Sequence, residues 1–244
     1  MKRQAWKRMQ AWLLVVAMLV SVVTGIGTTK TAKAATKMGV TYTVHVQTYG
    51  DQQGWVHDGT MAGTKGQAKR LEEIRVKLTG DEYSGSIQYK THIQSYGWQD
   101  WSYNGEKSGS RGQAKRLEGI EIQLTGEVAK HYDVVYRVHC QTYGWMDWVK
   151  NGVMAGTSGQ AKRLEAIRIS LYGEMAEHYD IYYRVHAQSF GWLSWAKNGE
   201  ASGTAGLAKR LEGIQIILVP KGSPEPGRTY DNITATNTVS FIRR

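Results

Sequence analysis

The chain of 244 residues has one cysteine, three prolines and two phenylalanines, and its first acidic side chain is Asp51. Each scarcity excludes something. Cys140 has no second thiol to pair with, so neither an intramolecular disulfide nor a thiolate metal cluster can form. Few prolines beside 28 glycines, with 41% hydrophobic and 21% charged residues, give a globular composition, neither collagen-like nor disordered. At this length roughly two-thirds of the unfolded surface can be buried, enough for a real core without covalent staples. Long apolar runs are also missing, apart from Ala11–Val23. The net charge of +10 shrinks on inspection. Six of the 31 basic side chains (Lys2, Arg3, Lys7, Arg8, Lys30 and Lys33) precede Ala34, and the remaining 25 face 21 acids, a balance of +4 that argues against a nucleic-acid partner.

A basic start, an apolar run shorter than the roughly 20 residues of a spanning helix, and Ala32-Lys33-Ala34 follow one another in the order of a secretory signal. Residues 1–34 are therefore expected to be removed, leaving a secreted protein with no membrane segment, associated with the cell surface or free outside the cell.

The rest is one unit written four times. His45, His92, His139 and His186 recur at a constant spacing, and each opens a string such as HCQTYGWMDWVKNGVMAGTSGQAKRLEAIRISLYG from His139. The first copy has one extra residue and one tryptophan fewer. Repeats of about 47 residues are assigned to 38–80, 81–126, 127–173 and 174–219. The shared elements H-x-Q-x-(Y/F)-G-W-x-x-W, N-G, G-T-x-G and R-L-E-x-I resemble the clostridial hydrophobic repeats with a characteristic Trp, the ChW repeats. That resemblance implies an exported, surface-associated protein that binds substrates or other proteins, with no catalytic residues to carry over.

Within a copy, Tyr136, Val138 and Cys140 alternate with Arg137, His139 and Gln141, the period of a strand. Glu72, Ile74, Val76 and Leu78 share one face of a second strand, with Glu73, Arg75 and Lys77 on the other. Asp58-Gly59, Asn104-Gly105, Asn151-Gly152 and Asn198-Gly199 tolerate the positive φ of a two-residue hairpin turn. Residues 126–132 and 173–179 each suit one helical turn. The pattern predicts an all-β fold of four tandem repeats, a closed or stacked array of propeller or prism type, with a trefoil disfavoured by the fourth copy. Residues 220–244, which hold all three prolines, form a linker and polar tail whose end is a closing strand, a disordered end or a fragment of something longer.

The recurring His and the recurring Glu (Glu72, Glu118, Glu165, Glu212) are read as structural, because a catalytic centre unites unlike residues in one place whereas groups repeated with the fold satisfy bonds that every unit must make. No catalytic residue, metal site or cofactor is assigned, and an enzyme is not expected. The glycines of the G-T-x-G stretch are read as turn residues, since the phosphate-loop spacing is absent. Of the aromatics, 14 Tyr and 9 Trp carry a polar handle. Trp55, Trp101, Trp148 and Trp195 occur in every copy and are assigned to the core. Trp98, Trp145 and Trp192 give way to Asp51-Gln52-Gln53 in the first copy and, with Gln94, Gln141 and Gln188, are the candidate ligand-facing set. The expected partner is a polysaccharide of a cell wall or an external source, or else a cell-surface protein in an adhesion or scaffold role.

Overall fold

The computed structural model describes residues 38–51, 53–80, 83–227, 229–230, 233–234 and 237–244. The expected signal segment lies outside them. The chain is all-β, with four small sheets set as a four-bladed, propeller-like ring.

Each copy supplies two long strands that pair antiparallel: β1 (Gly39–Val46) with β4 (Leu71–Thr79), β5 (Gly85–Ile93) with β9 (Leu117–Gly126), β10 (Tyr132–Cys140) with β14 (Leu164–Gly173), and β15 (Tyr179–Ala187) with β19 (Leu211–Pro220). Short strands between them finish the blades. In the second copy, β6 (Gly97–Trp98) and β7 (Ser102–Tyr103) lie on β5, but β8 (Ser108–Gly109) crosses to β4 of the first copy. In the same way β13 (Ala155–Gly156) joins β9, and β18 (Ser202–Ala205) joins β14. The ring closes because β3 (Ala62–Gly63) of the first copy pairs with β19 of the last.

This exchange corrects one expectation. Asn104-Gly105 does form a turn with both residues at positive φ, as do Asn151-Gly152 and Asn198-Gly199. The strands on either side do not pair with each other, so the turn hands the chain to the preceding blade instead of closing a hairpin. In the first copy Asp58 is not among the positive-φ residues, and only Gly59 takes that conformation.

The core lies where the four sheets converge. Ile74, Ile120, Ile167 and Ile214, with the residues two and four further on, line an apolar cavity of about 130 Å³. The inner face expected from alternation is present, and its burial is what drives the sheets together. The helical turns Val128–His131 and Met175–His178 add buried Val128 and Met175 to this core.

Two devices staple each copy to its neighbour. A fully buried tyrosine three residues before each recurring His accepts a backbone N–H from the preceding blade and donates to the carbonyl of its own turn region. Tyr136 Oη takes the Ile122 N–H at 2.7 Å and donates to Val153 O at 2.7 Å, and Tyr42, Tyr89 and Tyr183 repeat the pattern. Burial pushes the Tyr89 and Tyr136 phenols up to about 12, so they remain donors. The second device is a glycine. Gly156, at φ +123, approaches so closely that a Cβ there would stand 2.5 Å from the Glu118 carbonyl oxygen, and Gly63, Gly109 and Gly203 are placed alike. These glycines belong to crossing strands, not to turns.

The last described residues are a closing strand. β22 (Phe241–Arg243) runs parallel to β18 and extends the third blade's sheet.

Candidate ligand-binding surface

The recurring His and Glu meet at the blade seams. In every copy the ladder slips by one residue just after the His, and the residue left out opposite is the Glu: His139 pairs with Ala166 and Cys140 with Leu164, leaving Glu165 as the bulge. The bulge turns the carboxylate inward, where Glu72, Glu118, Glu165 and Glu212 are at most 2% exposed. Each then sits between a histidine Nδ1, 3.3–3.7 Å away, and an arginine nitrogen, 3.0–3.3 Å away. The next copy's G-T-x-G segment completes the seam. Thr157 N–H donates to Glu118 O, and Gly159 N–H donates to Nε2 of His92; Gly66 N–H does the same to His186. Burial holds the His139 imidazolium below its ordinary value, with Glu165 offsetting part of the shift. Within a copy the His, Glu and Arg are ion-pair neighbours, and across the seam the next copy's N–H groups donate to the His Nε2 and the Glu backbone carbonyl, a packing use of residues repeated with the fold.

The arginines of this set (Arg70, Arg116, Arg163 and Arg210) ring a pocket of about 220 Å³ on the axis, together with Gln94 and Gln188. Gln141 does not reach it, and no tryptophan does. The expected grouping of Gln with Trp therefore separates: two glutamines face the axial pocket, and the tryptophans lie elsewhere.

The tryptophans form pairs around a cation. Strand alternation places Lys90 and His92 on one face of β5, and β6 sets Trp98 opposite His92, edge-on at 5.4 Å between ring centroids. Lys90 Nζ then lies 5.2 Å from the Trp98 ring and 4.9 Å from Trp101. Arg137 is held between Trp145 (5.1 Å) and Trp148 (4.7 Å), and Arg184 between Trp192 (5.5 Å) and Trp195 (4.6 Å). The spacing W-x-x-W is thus a two-ring clamp on the cation that directly follows each buried tyrosine, one residue after Tyr89, Tyr136 or Tyr183. Burial lowers the Arg184 guanidinium to about 10, still charged at neutral pH.

This geometry corrects the division of the tryptophans into a core set and a surface set. Trp192, expected to face ligand, is fully buried, whereas Trp55 and Trp148, expected in the core, are 40% and 41% exposed. Trp98, Trp101 and Trp145 are half-buried, and Trp195 is buried as expected. The Trp192 ring is packed against His186, Arg184 and Gly213; the chain end runs beside the same segment, with Asn237 N–H donating to Trp192 O and Ser194 N–H to Val239 O, while Phe241 lies on Trp145 at 5.7 Å. Sequence reasoning also missed the clamp cations and the buried tyrosines. Their signal was available as the recurring Tyr-(Lys/Arg)-x-His of the last three copies, upstream of the histidines used to align the repeats.

Among the described residues no cluster of His, Cys, Asp and Glu could hold a metal ion, and no helix is long and apolar enough to cross a membrane. Cys140 is fully buried, its thiol pushed up to about 11 by burial and then by Glu165. No curated protein and no solved structure matches the chain. The family model described as Clostridial hydrophobic W matches residues 45–80, 92–126, 139–173 and 186–220, more than half of the chain, each match starting at the recurring histidine. The chain belongs to the ChW, or Clostridial hydrophobic W, repeat family.

Proposed function

We propose that this protein is an exported, non-catalytic binding module that takes carbohydrate of a cell wall or an external polysaccharide through its repeated tryptophans. The observation that carries the reading is the pair of indoles at equivalent positions of two blades, Trp55 and Trp148, left 40% and 41% exposed and backed by Lys77 and Arg137. A large ring that is left exposed with a cation against it is suited to stacking on the apolar face of a sugar. Copies on a rigid ring engage a polymer together, and such linkage raises avidity by roughly 10²–10⁴ over one site. The recurring carboxylates offer no free acid and base, since each is committed to a seam. A glycan array probed with the wild type and with Trp55→Ala/Trp148→Ala tests the reading: retention on one class of glycan, lost in the folded double variant, is the expected outcome.

One observation favours the second reading, a protein adhesion or scaffold module. The chain's own end adds to the edge of β18 as an extended strand, with Phe241 on Trp145, which is how a partner segment would bind. Capture of a specific protein from a cell-surface extract, with no glycan retained on the array, would favour that reading over the first.

A further inference from the structure

The clamp cation meets a different cross-strand neighbour in each blade. Lys90 faces Glu121 and forms an ion pair at 3.0 Å. Arg184 faces Gln215 and donates its Nε–H to the amide oxygen at 2.5 Å. In the first copy the clamp position is Thr43, and the arginine opposite, Arg75, is bonded to Glu73. Three blades thus supply an oxygen to the cation at this place. The third does not. Arg137 stands directly opposite Arg168, and both guanidiniums lie on the Trp145 ring, 5.1 and 4.7 Å from its centroid. The Nε atoms of both are buried without a hydrogen-bond partner, and among the described residues neither arginine has a carboxylate within ion-pair distance. Burial, and then the charge of Arg168, lower the Arg137 guanidinium from its ordinary value; exposed Asp147 opposes this only in part.

Two like charges placed opposite each other on neighbouring strands are unfavourable, and buried donors without acceptors add to the cost. An oxyanion held against the two guanidiniums would offset the repulsion, since each fork presents donors to two oxygens at once. We propose that the third blade carries an oxyanion site in which Arg137 and Arg168, set on Trp145 beside exposed Trp148, bind the carboxylate or phosphodiester group of an acidic glycan. The glycan identity rests on the function proposed above; the oxyanion site does not.

The test titrates the purified protein with inorganic phosphate and with acetate at constant ionic strength, following tryptophan fluorescence and the arginine Nε–H resonances. Saturable shifts of the Arg137 and Arg168 signals, with Lys90-blade signals unmoved, are expected, and Arg168→Gln should abolish them. The variant should melt no lower than wild type in anion-free buffer, because it relieves a repulsion. Polygalacturonate, poly(glycerol phosphate) and a neutral polysaccharide then separate the sources: Arg168→Gln should weaken the preferred polyanion at least tenfold and leave neutral-polymer retention unchanged. Absence of a saturable response to all four anionic probes, or wild-type affinity in folded Arg168→Gln, overturns the site even if neutral glycans bind. Arg168-dependent binding of the polyanions without any neutral retention would uphold the site and leave ring stacking alone insufficient for binding.

Discussion

The first blade and the other three solve the same packing problem differently. In blades two to four a cation is held between two indoles, one of them edge-on to the seam histidine. In the first blade that indole is gone and the clamp position is buried Thr43. Charges fill the space instead. Asp51 and buried Glu73 both contact Arg75 and Arg111, the latter contributed by the second copy. The equivalents of Glu73 are Gly119, Ala166 and Gly213, and a Cβ on Gly119 or Gly213 would stand 3.2 Å from Trp98 or Trp192. The large ring demands a minimal residue across the strand; its loss makes room for a carboxylate, and the carboxylate requires arginines. A Trp-to-Asp exchange between copies therefore signals a rebuilt contact, not a solvent-facing position.

The sharpest way to break the comparison is to delete an indole without the compensating charges. Trp192→Ala should cost about 3–5 kcal/mol, the range for emptying a fully enclosed aromatic site, and denaturant unfolding measures it. Glu165→Ala acts on the seam that all blades share. It leaves His139 and Arg163 without their carboxylate and should cost about 3–5 kcal/mol, with loss of cooperativity if the third and fourth copies separate.

Arg111→Ala tests the first blade's substitute. Its side chain is 42% exposed and Asp51 is 35% exposed, so the expected loss is only about 1 kcal/mol, while Glu73 keeps Arg75. High salt should shrink the difference from wild type, as it would not for Trp192→Ala. Equal losses for the two variants at all ionic strengths would mean that the charges contribute as much as the ring they replace. A further contrast is in pH. His139 resists protonation when folded and takes up a proton at the ordinary 6.5 when unfolded. Its contribution is therefore complete above about 6.5 and declines as pH falls, because the unfolded chain then binds more protons. Melting at pH 7.5 and 5.5 should show this loss, and His139→Gln should reduce it.

How much of this was legible before the structure can be judged residue by residue. The four copies, the strand of Ile74, Val76 and Leu78 and the structural use of the His and Glu follow from spacing and alternation, and the family from the resemblance of the recurring motifs, all of them features written within each copy. The exchange of β3, β8, β13 and β18 between blades is not local: Asn104-Gly105 has the dihedral signature of a hairpin turn, and nothing in the dipeptide says which blade receives the next strand. Glu73 reads as an outward charge by alternation, yet the bulge at Glu72 and the missing indole put it in the interior at 1% exposure. The segment of Trp192 is bonded through its backbone to Asn237 and Val239, far along the chain in a polar tail. Legibility fails where a residue's environment is completed by a distant segment.

The smallest expected effect on stability separates packing from function. Trp148→Ala removes a ring that is 41% exposed and whose named contacts are the Arg137 guanidinium and the neighbourhood of Gly199 and Ser170. The expected loss is about 0.5 kcal/mol, the scale of an exposed cation–π contact. Trp55→Ala, resting on Lys77 at 4.3 Å, should lose about as little. If these rings persist in both the rebuilt first blade and the clamped third blade for a reason other than stability, the two variants should melt like wild type and still fall off an insoluble glycan. Isothermal binding to that glycan beside calorimetric melting settles the matter. A large drop in melting temperature would return the two indoles to the core, and unchanged binding by a folded double variant would remove them from the binding surface.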